Sequence, residues 1–236
     1  MLLCAACVRF ETGTGLAASK YEKVAETVSG WHSNRNKRDN LYKALSDAIW
    51  KACMLLDRHP ESGVDFGAST GALLSKLPLI KKRAIDGARE AEAHKAVSDW
   101  QYADLNVFAD ISDALGSDKF DLLICQEVAE HLTSVRPADA PTLDMPLINA
   151  FNKCAKPNSV LVFGAGYPTQ PGKHHVSCRT ARFWQYALET YGWIYEHRAT
   201  MVYAATFIEK GQPIFARNRH TNCYLNTMVF TRRSEA

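Results

Sequence analysis

Val64-Asp-Phe-Gly-Ala-Ser-Thr-Gly71 reads as the end of a strand running into a sharp turn, with Gly67 and Gly71 bracketing the connection to a helix. A residue without Cβ tolerates positive φ and lets backbone approach a ligand closely. The helix predicted next, over Gly71–Leu77, would point its first N–H groups at an anion. The same stretch tests two phosphate-binding patterns, and neither is present. A dinucleotide turn needs glycine where Ser69 and Ala72 stand, and a P-loop needs a lysine directly after Gly71.

Outward from this turn, short apolar runs alternate with helical patterns. Strands are predicted over Gly63–Phe66, Arg83–Asp86, Tyr102–Leu105, Phe120–Gln126, Val160–Gly164, Trp193–Ala205 and Tyr224–Thr231. Helices are predicted over Arg89–Trp100, Pro141–Cys154 and Thr180–Tyr191 as well as Gly71–Leu77. Such alternation indicates a largely parallel sheet covered on both faces. The last two strands are separated only by Ile208–Thr221, an irregular stretch holding Gly211 and Pro213, so an antiparallel edge hairpin is expected. Upstream, Tyr21–Val28 and Arg38–Leu56 are predicted helices. In the second, Leu41, Ala44, Leu45, Ala48, Ile49, Ala52 and Cys53 form an apolar stripe. The expected division is an N-terminal arm and helical extension over 1–58 and an α/β domain over 59–236.

The 236 residues are 47% hydrophobic and 22% charged, which excludes collagen, coiled coil and wholesale disorder. A net charge of +3 is too mild to single out a nucleic-acid binder. The seven cysteines are odd in number and sit mostly in apolar stretches (Cys53, Cys125, Cys154), as expected of reduced thiols in a cytoplasmic protein. Cys4-Ala-Ala-Cys7 lacks a second pair to complete a zinc site. No apolar run approaches the ~18 residues of a membrane span, so no membrane partner is expected.

Open α/β sheets bind ligands at the carboxyl ends of their strands. Acids stand there in succession: Asp65, then Asp86 beside Gly87, then Asp104 beside Leu105. A carboxylate at Asp86 can accept from both hydroxyls of a ribose, and Asp104 with Leu105 can hold the amine and face of adenine. The fourth strand runs into Phe120-Asp-Leu-Leu-Ile-Cys-Gln-Glu-Val-Ala-Glu-His-Leu132. If residues 127–131 begin a helix, Glu127, Glu130 and His131 lie within one turn of each other. Such a group binds a divalent ion or supplies His131 as a general base. His175, in the loop His174-His175-Val-Ser-Cys178, is a second candidate base at the same sheet end. Phe183, Trp184 and Tyr186 have the spacing of core residues. Arg35, Lys37 and Arg38, with Arg217, Arg219 and His220, either line an anionic entrance or are solvated charge.

Together these stretches resemble the class I S-adenosylmethionine (SAM)-dependent methyltransferases. Val64–Gly71 resembles the family's Asp-x-Gly-x-Gly-x-Gly motif, with Ser69 in place of the middle glycine. Phe120–Leu132 resembles its Glu-Val-hydrophobic-Glu-His-Leu motif, and Ala155–Phe163 its Lys-Pro-Gly-Gly turn and fifth strand, with Asn158 and Ser159 replacing the glycines. The resemblance covers about Glu61 to Arg233. It implies a Rossmann-like fold with a seven-stranded, mostly parallel sheet, and SAM as cofactor. Asp65, Gly67, Ala68, Ser69, Gly71, Asp86, Gly87, Asp104, Leu105, Gln126 and Glu127 are the implied cofactor-binding residues. His131, His175 and Glu127 are the catalytic candidates. The implied reaction moves a methyl group to an oxygen or nitrogen acceptor, with a small molecule expected. The alternatives are an RNA or cap 2′-O-methyltransferase, metal-assisted or not, and a non-catalytic SAM-binding scaffold. Some members carrying the Glu-x-x-Glu-His string use a metal and many do not; no metal is expected here.

Overall fold

Strand Phe120–Gln126 is apolar at nearly every position, and such a strand is stable only with both faces covered. The computed structural model, which describes residues 35–134, 145–170, 172, 174–215 and 224–233, places it at the centre of a seven-stranded sheet. The strands are β1 (Ser62–Phe66), β2 (Lys81–Asp86), β3 (Asp99–Tyr102), β4 (Phe120–Gln126), β5 (Ala155–Gly164), β6 (Trp193–Tyr195) and β7 (Met228–Arg232). Their order is β3-β2-β1-β4-β5-β7-β6. β7 runs antiparallel to both its neighbours, and the other pairings are parallel.

The side chains of β4 and β5 alternate between two helical layers. Leu122, Ile124, Val160 and Val162 join the core beneath α1 (Arg35–Leu55), α2 (Ala72–Lys76) and α6 (His197–Phe215). Leu123, Cys125, Leu161 and Phe163 join the core beneath α3 (Phe108–Leu115), α4 (Pro146–Cys154) and α5 (Ala181–Thr190). The apolar stripe of α1 is buried as its spacing predicts, so this helix belongs to one of the two layers. Tyr21–Val28 lies outside the described residues. Cys53, Cys125 and Cys154 are buried and unbridged. Asn158 takes the left-handed φ of 63° expected of a residue standing for glycine, and Ser159 Oγ donates to the Phe120 carbonyl at 2.7 Å. No described helix is long and apolar enough to cross a membrane.

The structure corrects the sequence reading at several elements, among them the predicted strand Tyr224–Thr231, which is strand only from Met228. Trp193–Ala205 is a strand only to Tyr195, and α6 occupies His197–Phe215, including part of the stretch read as loop. β6 and β7 pair antiparallel as expected but are joined by this helix, so they form no hairpin. The residues are strand-like in composition, yet the buried ones, Ala199, Tyr203 and Phe207, recur every four positions. Arg89–Trp100 is no α-helix: a single 3-10 stretch, Arg89–His94, precedes β3. β3 spans Asp99–Tyr102 rather than Tyr102–Leu105, anchored by Arg83 Nε donating to Asp99 Oδ2 at 2.8 Å. Finally, α3 was not visible as a helix, because its eight residues carry only Ile111 and Leu115 into the core.

Gly71 is required by packing as well as by the turn. Its φ is +76°, and a Cβ there would meet Val97 Cγ2 at 2.9 Å and the Ala84 Cβ at 3.2 Å. Gly71→Val should lower unfolding free energy by about 2–4 kcal/mol in urea denaturation. A midpoint within error of the parent would show that this packing is slack.

Candidate active site

Three residues of the β1–α2 connection adopt left-handed backbone: Gly67 (φ 74°), Ser69 (φ 51°) and Gly71 (φ 76°). The N–H groups of Gly67 and Ala68 both donate to the Ile85 carbonyl, at 2.8 and 3.1 Å, which ties the loop to the end of β2. Ser69 is held from two sides. Its carbonyl accepts from Trp100 Nε1 at 2.7 Å, and its N–H donates to Asp86 Oδ2 at 2.6 Å. Serine therefore sits where glycine is easier because neighbours pin its backbone. The helix beyond is only five residues, so its dipole adds little at this loop.

Asp86 is fully buried at the end of β2. Its second oxygen accepts from the Ala88 N–H at 2.7 Å, across Gly87. Burial pushes this carboxyl up to about 6 despite the backbone N–H groups that oppose the rise. Asp65, on the neighbouring β1, is also buried, and burial followed by the nearby Asp86 charge pushes it well above the usual carboxylate range. Asp104 is half-buried and caps its own turn, with Oδ1 accepting from Asn106 N–H and Nδ2 at 3.0 and 3.1 Å. Leu105 is completely buried in the α3–α5 core, so its side chain is a packing residue.

At the end of β4 the chain turns abruptly. Glu127 has φ 56° and donates its N–H to the Gly164 carbonyl at 2.9 Å, which stops the strand. The residues beyond form a single 3-10 turn, Ala129–His131, not the start of an α-helix. Gln126 Nε2 donates to Tyr203 Oη at 2.8 Å and to Thr227 Oγ1 at 2.9 Å, which commits its amide to α6 and the entry to β7. Its Oε1 is buried without a partner.

A second segment docks on this turn. The Glu130 carbonyl accepts from Val176 and Ser177 N–H at 2.8 and 2.9 Å, and Ser177 Oγ donates to the Leu132 carbonyl at 2.7 Å. The docking carries His175 against His131, their ring centroids 4.7 Å apart and nearly perpendicular. Burial, reinforced by His175, holds His131 down to about 4, and burial lowers His175 too, so both imidazoles are neutral at pH 7. Glu130 is fully buried, and burial followed by the neighbouring Glu127 carboxylate pushes it well up. Glu127 Oε2 accepts from Gln170 Nε2 at 2.7 Å.

The structure thus gathers the predicted residues into two adjoining groups. Asp65, Gly67, Ala68, Ser69, Gly71, Asp86 and Gly87 surround the first turn, and Gln126, Glu127, Glu130, His131 and His175 surround the second. Sequence reasoning missed Trp100 and Gln170, which hold Ser69 and Glu127 in place; neither stands in a recognisable pattern. Trp184 is core as expected, but Tyr186 is 66% exposed on α5. Arg217, Arg219 and His220 lie outside the described residues, as do the side chains of Arg35, Lys37 and Arg38.

No protein-family model matches the chain, and no curated protein matches its sequence. Solved structures match its fold. The plantazolicin methyltransferase BpumL, solved with SAH, superposes with a TM-score of 0.51 at 14% identity, over 88% of this chain and 90% of that one. The plantazolicin methyltransferase BamL, solved with SAH and a triazolic desmethylPZN analogue, gives 0.57 at 9% identity over 89% of each chain. The YcgJ protein from Bacillus subtilis gives 0.51 at 13% identity, over 81% of this chain and 99% of that one. Strand order and these likenesses together establish a Rossmann-like class I methyltransferase fold.

The Asp86 carboxyl carries a pH signature. Its native value is raised from 3.8 to about 6, so the neutral form is favoured in the folded state. Its contribution to stability is therefore full below about pH 4 and lost as pH rises through 6, on the order of 3 kcal/mol. Asp65 and Glu130 slope the same way, so the measurement is a difference. In thermal or urea unfolding of the ligand-free protein, Asp86→Asn should lose less stability than the parent between pH 4 and 7. Parallel curves would show that Asp86 is solvated.

Proposed function

We propose that the chain transfers the methyl group of SAM to an oxygen or nitrogen acceptor, most simply a small molecule. One observation carries the reading. The strand order reverses between β1 and β4, where open α/β sheets bind ligands, and the two groups of chemically equipped residues flank that point. On the β1 side, the Gly67–Gly71 turn would take the amino-acid end of SAM. Each oxygen of Asp86 accepts one backbone N–H and keeps a further lone pair for a ribose hydroxyl. Asp104 would take the adenine amine. The acids around the turn suit a positively charged sulfonium.

The β4 side would face the acceptor. The sulfonium already activates the methyl group, so the protein's work is alignment and removal of a proton. An acceptor lone pair attacks the methyl carbon, and the C–S bonding pair stays on sulfur. Glu127, His131 and His175 are the groups within this half able to take the acceptor's proton. A dehydrogenase reading has no support in the turn, where Ser69 and Ala72 replace glycines of the dinucleotide pattern.

Isothermal titration separates the readings. SAM and SAH should bind with micromolar affinity, and NAD and NADP should not. Gly67→Val should cost at least tenfold in SAM affinity, because a branched Cβ intrudes at a left-handed backbone position. SAM binding without transfer to any acceptor pool would favour the scaffold reading. Labelling of an RNA pool in preference to small molecules would reassign the acceptor. Absence of SAM binding by the folded chain would overturn the proposal.

A further inference from the structure

Beyond β4, Glu130 and His131 carry buried metal-binding atoms with no hydrogen-bond partner among the described residues, and His175 lies beside them. Glu130, His131 and His175 each bring one such atom to within 4.8 Å of the others. Glu130 is fully buried, and neither of its oxygens has a hydrogen-bond partner among the described residues. His131 Nε2 is also buried without a hydrogen bond, 3.9 Å from Glu130 Oε1. Buried polar atoms left in this state cost free energy, and those of a native site normally have a partner.

Both imidazoles are also oriented as ligands are. His131 directs Nδ1 at the His174 carbonyl and His175 directs Nδ1 at the Gln170 carbonyl, each at 3.2 Å. A carbonyl only accepts, so these contacts are hydrogen bonds when Nδ1 carries the proton, which leaves the lone pair on Nε2; His175 Nδ1 also lies 3.6 Å from Cys178 Sγ. Backbone carbonyls fix the tautomer of metal-bound histidines in this way. We propose that Glu130, His131 and His175 bind one divalent transition-metal ion through a carboxylate oxygen and one nitrogen of each imidazole. Two imidazoles with one carboxylate suit zinc, manganese, iron(II) or cobalt, whereas magnesium and calcium prefer oxygen donors throughout. Bonds of 2.0–2.2 Å set neighbouring ligands roughly 3–3.5 Å apart, so the 3.9 Å between Glu130 and His131 needs to close by less than an ångström, and the separations within the whole set, up to 4.8 Å, by roughly 1–2 Å.

The ligand set differs from the grouping that the sequence offered. Glu127 is drawn towards Gln170, and His175 takes its place from a loop 44 residues past His131. The site stands on its own geometry; only its use rests on the methyl-transfer reading. With both imidazoles coordinated, the base is Glu127. The ion would bind an acceptor hydroxyl, whose proton passes to Glu127 as its oxygen bonds to the methyl carbon and the C–S pair remains on sulfur. Acceptors are then hydroxyl compounds.

The test uses the full chain, stripped with EDTA and dialysed against zinc, manganese or cobalt, with bound metal measured by mass spectrometry. One ion per chain should be retained at micromolar free metal, and cobalt should give a visible absorption band. His175→Ala and Glu130→Gln should each weaken retention at least tenfold. His175 is only half-buried, so its variant reports even if Glu130→Gln fails to fold. Failure to retain any ion overturns the proposal, as does retention that falls in Cys4→Ser/Cys7→Ser but not in His175→Ala. Titration of the stripped protein with SAM keeps the two readings apart: SAM binding without metal binding sinks this site alone, and metal binding without SAM binding sinks the cofactor reading alone.

Discussion

Burial of β4 on both faces is the constraint on which the rest of the molecule depends. Leu122 and Ile124 are sealed by the layer of α1, α2 and α6, and Leu123 and Cys125 by the layer of α3, α4 and α5. β1 and β5 pair along its two edges, so its central residues, Leu122 to Cys125, are closed to water. A strand so enclosed must end abruptly, and the end is made by Glu127 turning to positive φ and pairing its N–H with Gly164. Everything polar in the second half of the site hangs from that turn.

The two halves treat their buried acids differently. Asp86 is surrounded by donors, with Ser69 and Ala88 each giving a backbone N–H to one oxygen. These bonds offset part of the cost of burying the group and hold the glycine turn against β2. Neither oxygen of Glu130 makes a hydrogen bond of good geometry among the described residues. It sits beneath Gly166, where an added Cβ would approach its Cγ to 3.0 Å, and beside an imidazole nitrogen that is equally unpartnered. The first acid has a backbone donor on each oxygen and holds the turn in place. The second is held in place by packing, and its unpartnered oxygens carry the cost of an unsatisfied buried polar group.

Docking of residues 174–179 onto the 3-10 turn is the long-range event that completes the site. Three backbone hydrogen bonds, from Val176, Ser177 and Arg179 to carbonyls of Glu130 and Gly166, bring it about. They fix His175 without relying on its side chain. Gln170, whose carbonyl lies 3.2 Å from His175 Nδ1, donates to Glu127, so the two acids beyond β4 are contacted from the same side of the turn.

The sequence by itself determined the alternation of strands and helices, the two-faced burial of β4, the glycine turn and the acids at successive strand ends. Each is written in local periodicity or in a residue type that a turn requires, as with Asn158 standing for glycine. Local pattern failed where a residue's partner decided its conformation. Thr200, Val202 and Tyr203 favour strands, yet they sit in α6 because Tyr203 and Phe207 stack over the core one helical turn apart. Trp100 was read as the end of a helix and is instead a strand residue holding Ser69 from outside the motif. The convergence of His175 on Glu130 and His131 was decided only by tertiary structure. It depends on backbone hydrogen bonds across more than forty residues of chain, and no spacing within a motif encodes a contact made at that distance.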